Sequence, residues 1–340
     1  MRKTRYIYTL QIQKIEEELA MSKFKVVLTD NIFPDLIIER KMLDKIDTEL
    51  VEVTDLSTLA EEVKDADAVI NTYAQMTPEI INGMEKCKMI IRNGIGVNTI
   101  DVPTCNEKGI MVGNIPTYCI EEVATHAIAL MLTLNRKLFL YNQSVRSGVW
   151  DVKKGMPIQS VVGGTLGLVG FGRIPRLIND RALALGMKVL AYDPYVTAEN
   201  AAEAGAQKAE MDQIIAESDF ISIHCPLTPE TKGMFNYGAF KAMKDSAYII
   251  NTARGPIVNE PDLVRALEEN LIGGAGLDVL MEDKGQSDHP LYAFDNVILS
   301  PHAAWYSETS ILRRRTQTVD SVIEVLEGRE PFSYLNKGKF

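Results

Sequence analysis

Short apolar runs alternate along the chain with longer segments of helical periodicity. Runs rich in valine, isoleucine and leucine predict strands at 24–29, 67–72, 88–92 and 110–113, then at 165–170, 187–192, 219–224, 247–251, 273–278 and 296–299. Helical patterns lie between them or after them at 35–46, 57–64, 121–140, 174–185, 198–216, 260–269 and 307–326. Such alternation is typical of parallel sheets covered on both faces. We therefore predict an α/β protein with two doubly wound parallel-sheet domains.

Composition narrows the class of protein. The 340 residues are 46% hydrophobic and 24% charged, which suits a globular protein of two domains. A net charge of −10 argues against a nucleic-acid or anionic-membrane surface, and no apolar run approaches the ~18 residues of a membrane-spanning helix. The cysteines are scattered without metal-ligand spacing, so we expect no metal and the reduced thiols of a cytoplasmic protein. Residues 1–20 lack the features of a secretory signal and are expected to lie outside the fold.

A glycine-rich turn joins a predicted strand to a predicted helix. Gly170 permits a tight turn, and Gly172 lets the backbone approach a pyrophosphate at the positive end of the helix that starts near Arg173. Asp193, at the end of the next strand, could accept hydrogen bonds from an adenine ribose and repel the extra phosphate of NADP. Pro175 replaces the third glycine of the fingerprint, which affects helix packing more than phosphate contact. The glycines alone could belong to an ordinary strand-to-helix turn. Strand, glycines, helix, second strand and acid in this order together predict NAD binding.

Three later segments carry residues suited to hydride exchange with a 2-keto acid. Arg254 follows a strand, and a guanidinium can hold a carboxylate bidentately. His302 follows another strand and could exchange a proton near neutral pH, while Glu282 or Asp283 could orient it. A surface ion pair, a structural histidine and solvated loop carboxylates are the simpler interpretations. One shared site explains them better, because ligands bind at the carboxyl ends of strands in such sheets.

Several motifs in fixed order resemble the D-isomer-specific 2-hydroxyacid dehydrogenases, over nearly the whole length from 24 to 330. They lie at 92–96, 167–174, 224–231, 251–255, 276–279 and 300–308. Within the family, Pro-His-Ala-Ala-Trp-Tyr-Ser-Glu at 301–308 is most similar to the branch of the C-terminal-binding proteins and their bacterial relatives. The resemblance implies a flavodoxin-like substrate domain (22–119 and 308–340), a Rossmann NAD-binding domain (120–307) and a homodimer.

The resemblance also implies roles for single residues. Arg254 would bind and activate the substrate, His302 would donate the proton, and Trp305 would line the substrate pocket. Arg92 and the backbone of Gly94, Ile95 and Gly96 would hold the substrate carboxylate. Contacts to NAD would come from Gly170, Gly172, Arg173, Ile174, Asp193, Cys225, Pro226, Leu227, Thr231, Thr252, Ala253, Arg254, Asp278 and His302.

The catalytic acid departs from the family pattern. The family's glutamate falls on Asp283, and Lys284 replaces the usual proline. Aspartate is one methylene shorter, so either the loop moves inward and Asp283 reaches His302, or the loop shifts by one residue and Glu282 serves. Register favours Asp283, since a carboxylate–histidine contact depends on reach.

Two functions follow from these features. The first is an oxidoreductase that transfers a hydride between NAD(H) and a small 2-hydroxy or 2-keto acid, with NADH preferred because of Asp193. The alternative is an NAD(H)-sensing binding protein of the C-terminal-binding type with little or no turnover. The sequence leaves open which 2-hydroxy or 2-keto acid is the substrate. A phosphorylated substrate would need basic residues near Arg92 and Tyr73, and the loop 71–77 supplies none. Trp305 suits a keto acid with some apolar bulk, while glyoxylate and hydroxypyruvate also remain candidates.

Overall fold

The chain forms two compact units in a computed structural model that describes residues 23–338. The predicted extension at 1–20 lies outside the described residues. One unit contains the described residues up to Tyr118 and those from Glu308 onward, and the other contains Cys119–Ser307. Each unit is organised around its own parallel sheet.

The sheet of the first unit has five strands within the described residues, in the order β2-β1-β3-β4-β5, which is the flavodoxin-like order. The strands are β1 (Phe24–Leu28), β2 (Thr48–Glu52), β3 (Ala68–Asn71), β4 (Met89–Arg92) and β5 (Met111–Gly113). The helices between them are α1 (Ile37–Leu43), α2 (Leu59–Glu62), α3 (Pro78–Gly83) and α4 (Val102–Lys108). All four positions of the central strand β3 are buried, as expected for a sheet covered on both faces.

The second unit carries a seven-stranded sheet within Cys119–Ser307. Its strands are β6 (Thr165–Val169), β7 (Lys188–Tyr192), β8 (Gln207–Lys208), β9 (Phe220–Ile223), β10 (Tyr248–Asn251), β11 (Gly274–Leu277) and β12 (Val297–Leu299). Its helices are α5 (Ile120–Asn135), α6 (Leu138–Arg146), α7 (Arg173–Ala184), α8 (Ala198–Glu203), α9 (Met211–Glu217), α10 (Tyr237–Ala242) and α11 (Glu260–Glu268). The order β12-β11-β10-β9-β6-β7-β8 is that of a Rossmann sheet, with its reversal between β6 and β9.

A long helix, α12 (Glu308–Leu326), follows β12 and belongs to the first unit. It contacts α1, β3 and β4, and it buries Val319 and Val322. The buried Arg315 pairs with the buried Glu39 of α1, with Nη2 to Oε2 at 2.6 Å. The predicted fold class, two doubly wound parallel-sheet domains, is confirmed.

Two predicted helices are each divided in the structure. Lys137 adopts a left-handed backbone conformation with φ 54° and separates α5 from α6 within the predicted helix 121–140. Gly205 (φ 77°) and the short strand β8 separate α8 from α9 within 198–216. The strand β2 and the helices α3, α4 and α10 were not predicted. Helices of six or seven residues carry too few positions to display a 3.6-residue period.

Candidate active site

The reversal point of the second sheet carries the glycine turn. Gly170 has φ 96°, and a Cβ there would lie 2.9 Å from the carbonyl carbon of His224, so both backbone and packing require glycine. Gly172 is the N-cap of α7, without a side-chain cap, and a Cβ there would meet no described atom within 4 Å. Open space before the free N–H groups of a helix N-terminus fits a pyrophosphate.

Asp193 lies directly after β7 and faces this turn. Its carboxylate accepts hydrogen bonds from the backbone N–H of Phe171 (2.8 Å) and of Tyr195 (2.9 Å). A carboxylate has about four acceptor positions, so it keeps capacity for ribose hydroxyls. Pro175 is buried in the first turn of α7, where its missing N–H costs nothing.

The segments after β9 and β10 carry further residues that were predicted to contact NAD. Thr231 closes the 225–231 loop on itself by donating to the Pro226 carbonyl (2.7 Å), and burial raises the pKa of the Cys225 thiol to about 11, which keeps it neutral. The Thr252 hydroxyl oxygen is buried and has no hydrogen-bond partner among the described residues. A buried polar atom without a partner costs about 1–3 kcal/mol, which a ligand contact would relieve. This arrangement fits a bound dinucleotide.

Arg254 begins the turn after β10, next to the loop that carries the candidate acid. A Cβ on the following residue, Gly255, would overlap the carbonyl of Leu280, so the two backbones are in contact. The positive charge of Arg254 also acts on Asp283. Arg254 and the 280–283 loop are therefore neighbours at the carboxyl edge of the sheet.

His302 is hydrogen-bonded to Asp283, with Nδ1 2.7 Å from Oδ2. The second oxygen of Asp283 accepts from the Leu280 N–H at 2.9 Å. Because a carboxylate only accepts, Nδ1 carries the hydrogen and Nε2 faces away from the acid. Glu282 instead pairs with Lys284 at 3.1 Å on the exposed face of the loop. Of the two carboxylates, Asp283 is the one that contacts His302.

Opposing effects act on the Asp283 carboxyl. Burial raises its pKa, but the hydrogen bonds from His302 and the Leu280 N–H, together with the charge of Arg254, outweigh burial. The net pKa lies below the ordinary value for aspartate, so the group is ionised at neutral pH.

Asp278, predicted as an NAD contact, is 1% exposed and binds the turn that carries His302. Its oxygens accept from the Ser300 hydroxyl (2.6 Å) and from the N–H groups of Ala303 (2.8 Å) and Ala304 (2.9 Å). This support of the histidine turn was not predicted from sequence.

The predicted carboxylate-binding segment forms a tight turn in the first unit. Arg92 folds back over Gly94 and donates to the Asn93 carbonyl at 2.8 Å, and its guanidinium lies 5.7 Å from the ring centroid of Tyr73. The Asn114 amide donates to the Ile95 carbonyl at 2.8 Å. These bonds hold the backbone of 94–96 in place.

Helix α12 brings a second guanidinium to this turn. Thr318 donates to the Asn93 side chain at 3.0 Å, although the two are 225 residues apart in the chain. Arg314, one helical turn earlier, lies over the rings of Phe33 (4.8 Å) and Tyr118 (5.5 Å). Burial lowers the pKa of Arg314, and the nearby charge of Arg92 lowers it further. The loop 71–77 contains no basic residue. Helix α12 supplies one to this region, Arg314.

Comparison with known proteins identifies the family. The sequence profile of the D-isomer specific 2-hydroxyacid dehydrogenase NAD-binding domain matches residues 128–304. The hydroxypyruvate reductase of Blautia hydrogenotrophica is 38% identical over 293 residues, which cover 84% of this chain and 89% of that protein. This chain belongs to the D-isomer specific 2-hydroxyacid dehydrogenases. The dehydrogenase transfers a hydride between NAD(H) and a 2-hydroxy or 2-keto acid, so the predicted activity and cofactor are confirmed.

Two further relatives agree with this assignment. The D-3-phosphoglycerate dehydrogenase of Archaeoglobus fulgidus is 36% identical over 260 residues, 76% of this dehydrogenase and 49% of that protein, so the chain spans about half of that relative. The D-lactate dehydrogenase of Aquifex aeolicus, solved with NAD and lactic acid, matches with a TM-score of 0.82 at 32% identity. That match covers 89% of this chain and 96% of the other.

Three general features of the dehydrogenase complete the description. Residues 23–338 contain no helix that is long and apolar enough to cross a membrane. The same stretch contains no group of three or more histidine, cysteine, aspartate or glutamate residues able to hold a metal ion. Cys87, Cys105 and Cys225 are free thiols.

Proposed function

We propose that this dehydrogenase reduces a small 2-keto acid with Arg254 and His302 as its catalytic residues. Asp283 is the carboxylate that orients His302 and stabilises its charged form. The observation that carries the proposal is the 2.7 Å hydrogen bond between His302 Nδ1 and Asp283, with Arg254 next to the same loop. A cation for a carboxylate, a proton donor and an orienting acid are the groups that the reaction needs at one place.

The residues divide the chemistry as follows. Bound NADH supplies the hydride. The Arg254 guanidinium pairs with the substrate carboxylate and polarises the adjacent carbonyl group. The His302 imidazolium donates its Nε2 proton to the carbonyl oxygen as the hydroxy acid forms, and takes a proton back in the reverse direction. Asp283 holds the ring in one orientation and stabilises its charged form.

The remaining predicted roles extend this proposal. The glycine turn and Arg173 would hold the pyrophosphate, Asp193 the ribose, and the segments 225–231 and 252–254 the rest of NAD. Residues 120–307 would be the NAD-binding domain, and 22–119 with 308–340 the substrate domain. Arg92 and the backbone of 94–96 in the substrate domain would bind the substrate carboxylate, and Trp305 in the NAD-binding domain would line the substrate pocket.

We propose hydroxypyruvate as the first substrate to test. The hydroxypyruvate reductase of Blautia hydrogenotrophica is similar to this chain over 89% of its own length. A specific observation favours a second candidate, a phosphorylated keto acid, because the charges of Arg314 and Arg92 act on each other. A second cation there would suit a substrate with a second anionic group.

The deciding experiment measures NADH and NADPH oxidation with hydroxypyruvate, glyoxylate, pyruvate, branched keto acids and 3-phosphohydroxypyruvate. We expect hydroxypyruvate to have the highest kcat/KM with NADH, and His302→Ala to abolish turnover without weakening NADH binding. An Arg314→Met variant that raises KM only for the phosphorylated acid would favour the second candidate. Full turnover by His302→Ala would refute the proposed catalytic role.

The alternative of an NAD(H)-sensing protein rests on the segment 301–308, which resembles the C-terminal-binding branch. It stays a prediction beside the enzyme. Tight NADH binding without turnover across the whole panel of keto acids would favour the sensor, whereas turnover that needs His302 favours the enzyme.

The homodimer and the cytoplasmic location also stay predictions. The segment 138–162 supports a dimer, because it exposes apolar side chains, among them Trp150 at 88%, Val152 at 70% and Met156 at 66%. Exposed apolar patches of this kind mark protein interfaces. Light scattering after size exclusion should give twice the chain mass, and Trp150→Glu should shift it toward the monomer. A wild-type monomer would contradict the prediction.

A further inference from the structure

Two side chains of α5 contact the two ends of the segment that carries His302 and Trp305. His126 Nε2 lies 2.8 Å from the Ser300 hydroxyl oxygen, and the Ser307 hydroxyl donates to Glu122 Oε1 at 2.8 Å. Residues four apart lie on the same face of a helix. The helix therefore holds the segment 300–307 at its beginning and at its end.

The direction of the hydrogen bonds follows from the number of protons. Ser300 has one hydroxyl hydrogen, and it is donated to Asp278 Oδ1 at 2.6 Å. The Ser300 oxygen must therefore accept a hydrogen from His126 Nε2. The buried Asp278 then binds the N–H groups of Ala303 and Ala304. One continuous network joins His126 on α5 to both flanks of His302.

The turn needs this support because His302 adopts a left-handed backbone conformation with φ 51°. For a residue other than glycine that conformation is strained, because the Cβ atom comes too close to the following carbonyl oxygen. The His302 N–H donates to the Asp278 carbonyl (2.8 Å), so the residue that accepts from Ser300 also fixes the backbone of the histidine. A loosened network would let His302 leave the position that its Asp283 contact requires.

We propose that His126 and Glu122 are positioning residues for the dehydrogenase reaction. Through its hydrogen bond to Ser300, His126 fixes the start of the turn that carries His302, and Glu122 fixes the end of that segment through Ser307. The inference rests on the proposed catalytic role of His302. Neither residue belongs to the predicted cofactor or substrate contacts. The displacement of a catalytic group by ~1 Å can lower a rate by about a hundredfold, so a distant side chain can control kcat.

The test compares His126→Leu, His126→Gln and Ser300→Ala with wild type. Glutamine can still donate to Ser300, but leucine cannot. We expect His126→Leu and Ser300→Ala each to lower kcat by about 10–100-fold, with KM and the NADH dissociation constant little changed. His126→Gln should keep kcat within about threefold of wild type. The double variant that combines His126→Leu with Ser300→Ala should be no slower than either single variant, because both changes break the same hydrogen-bond network.

A matched pair tests the other end of the segment. Glu122→Leu should lower kcat, whereas Glu121→Leu, the adjacent residue whose carboxylate pairs with Arg181, should not. Wild-type kcat in His126→Leu and Ser300→Ala would overturn the proposal. Equal losses in His126→Gln and His126→Leu, accompanied by equal falls in Tm, would also overturn it, since they indicate a structural role only.

Measuring His302→Ala beside these variants distinguishes a failure of the positioning role of His126 from a failure of the proposed function. If His302→Ala is inactive and His126→Leu is fully active, the proposed function stands and the positioning role fails. If His302→Ala keeps its activity, the proposed function fails.

Discussion

Asp283→Asn removes the charge next to His302 while it keeps a side chain of nearly the same shape. The asparagine oxygen can still accept from Nδ1, so the ring keeps its orientation and the carboxylate's electrostatic support of the imidazolium is lost. Glu282→Gln is the matched control, because Glu282 pairs with Lys284 rather than with His302. The comparison isolates one charge at one position.

The separation and the exposure set the magnitude of the effect. At 2.7 Å in the dielectric of water, a unit ion pair is worth about 1.5 kcal/mol. The side chains of His302 and Asp283 are 39% and 44% exposed, so solvent and salt reduce this to about 1 kcal/mol. Since 1.36 kcal/mol corresponds to a tenfold change in rate, we expect kcat for keto-acid reduction to fall about fivefold in Asp283→Asn.

The assay is the kcat of keto-acid reduction, measured for Asp283→Asn, Glu282→Gln and wild type at one fixed pH. The proposed reaction passes through a charged imidazolium, so loss of the neighbouring carboxylate should slow it, whereas Glu282→Gln should keep the wild-type rate. An unchanged kcat in Asp283→Asn, or an equal loss in Glu282→Gln, would refute the assigned role.

Three further predictions concern the cofactor turn and its neighbours. Gly170→Ala should destabilise the fold by about 1–2 kcal/mol, because φ is 96° and the new Cβ meets the His224 carbonyl carbon at 2.9 Å. Gly172→Ala should leave Tm unchanged but weaken NADH binding about tenfold, which fluorescence titration would detect, and equal effects of the two changes would contradict this. Burial lowers the pKa of His224 from 6.5 to about 3, so its contribution to stability is complete above pH 6.5 and falls as the pH drops toward 3. His224→Gln, which can still bond Ser222, should flatten that fall in Tm, and an identical slope would argue against it. Asp193→Ser should raise the ratio of kcat/KM for NADPH to that for NADH, because it removes the carboxylate that we predict to repel the extra phosphate, and an unchanged ratio would contradict that role.

Sequence alone predicted those features of the site that depend on residues close together in the chain. Gly170, Gly172 and Asp193 lie within one strand–helix–strand unit, so spacing alone indicated their arrangement at the reversal of the sheet. The family register likewise favoured Asp283 over Glu282, and the structure brings Asp283 to His302.

Non-local contacts could not be predicted in this way. The proximity of Arg314 to Arg92 depends on how α12 packs against β4, which no local pattern encodes. The bond between His126 and Ser300 joins residues 174 positions apart, and both residue types have ordinary structural uses. The divided helices at 121–140 and 198–216 had apolar periodicity on both sides of the break. Backbone conformation at Lys137 and Gly205, rather than hydrophobic pattern, sets those helix ends.

The most direct test of the central claim is the transfer of a label. Keto acid is reduced with NADH in which both hydrogens at C4 of the nicotinamide are deuterium, and the product is examined by mass spectrometry and by chiral separation. The proposed reaction requires one deuterium on C2 of a D-configured hydroxy acid, and its loss in His302→Ala. Product without deuterium, or labelled product formed at the wild-type rate by His302→Ala, would contradict the catalytic site described above.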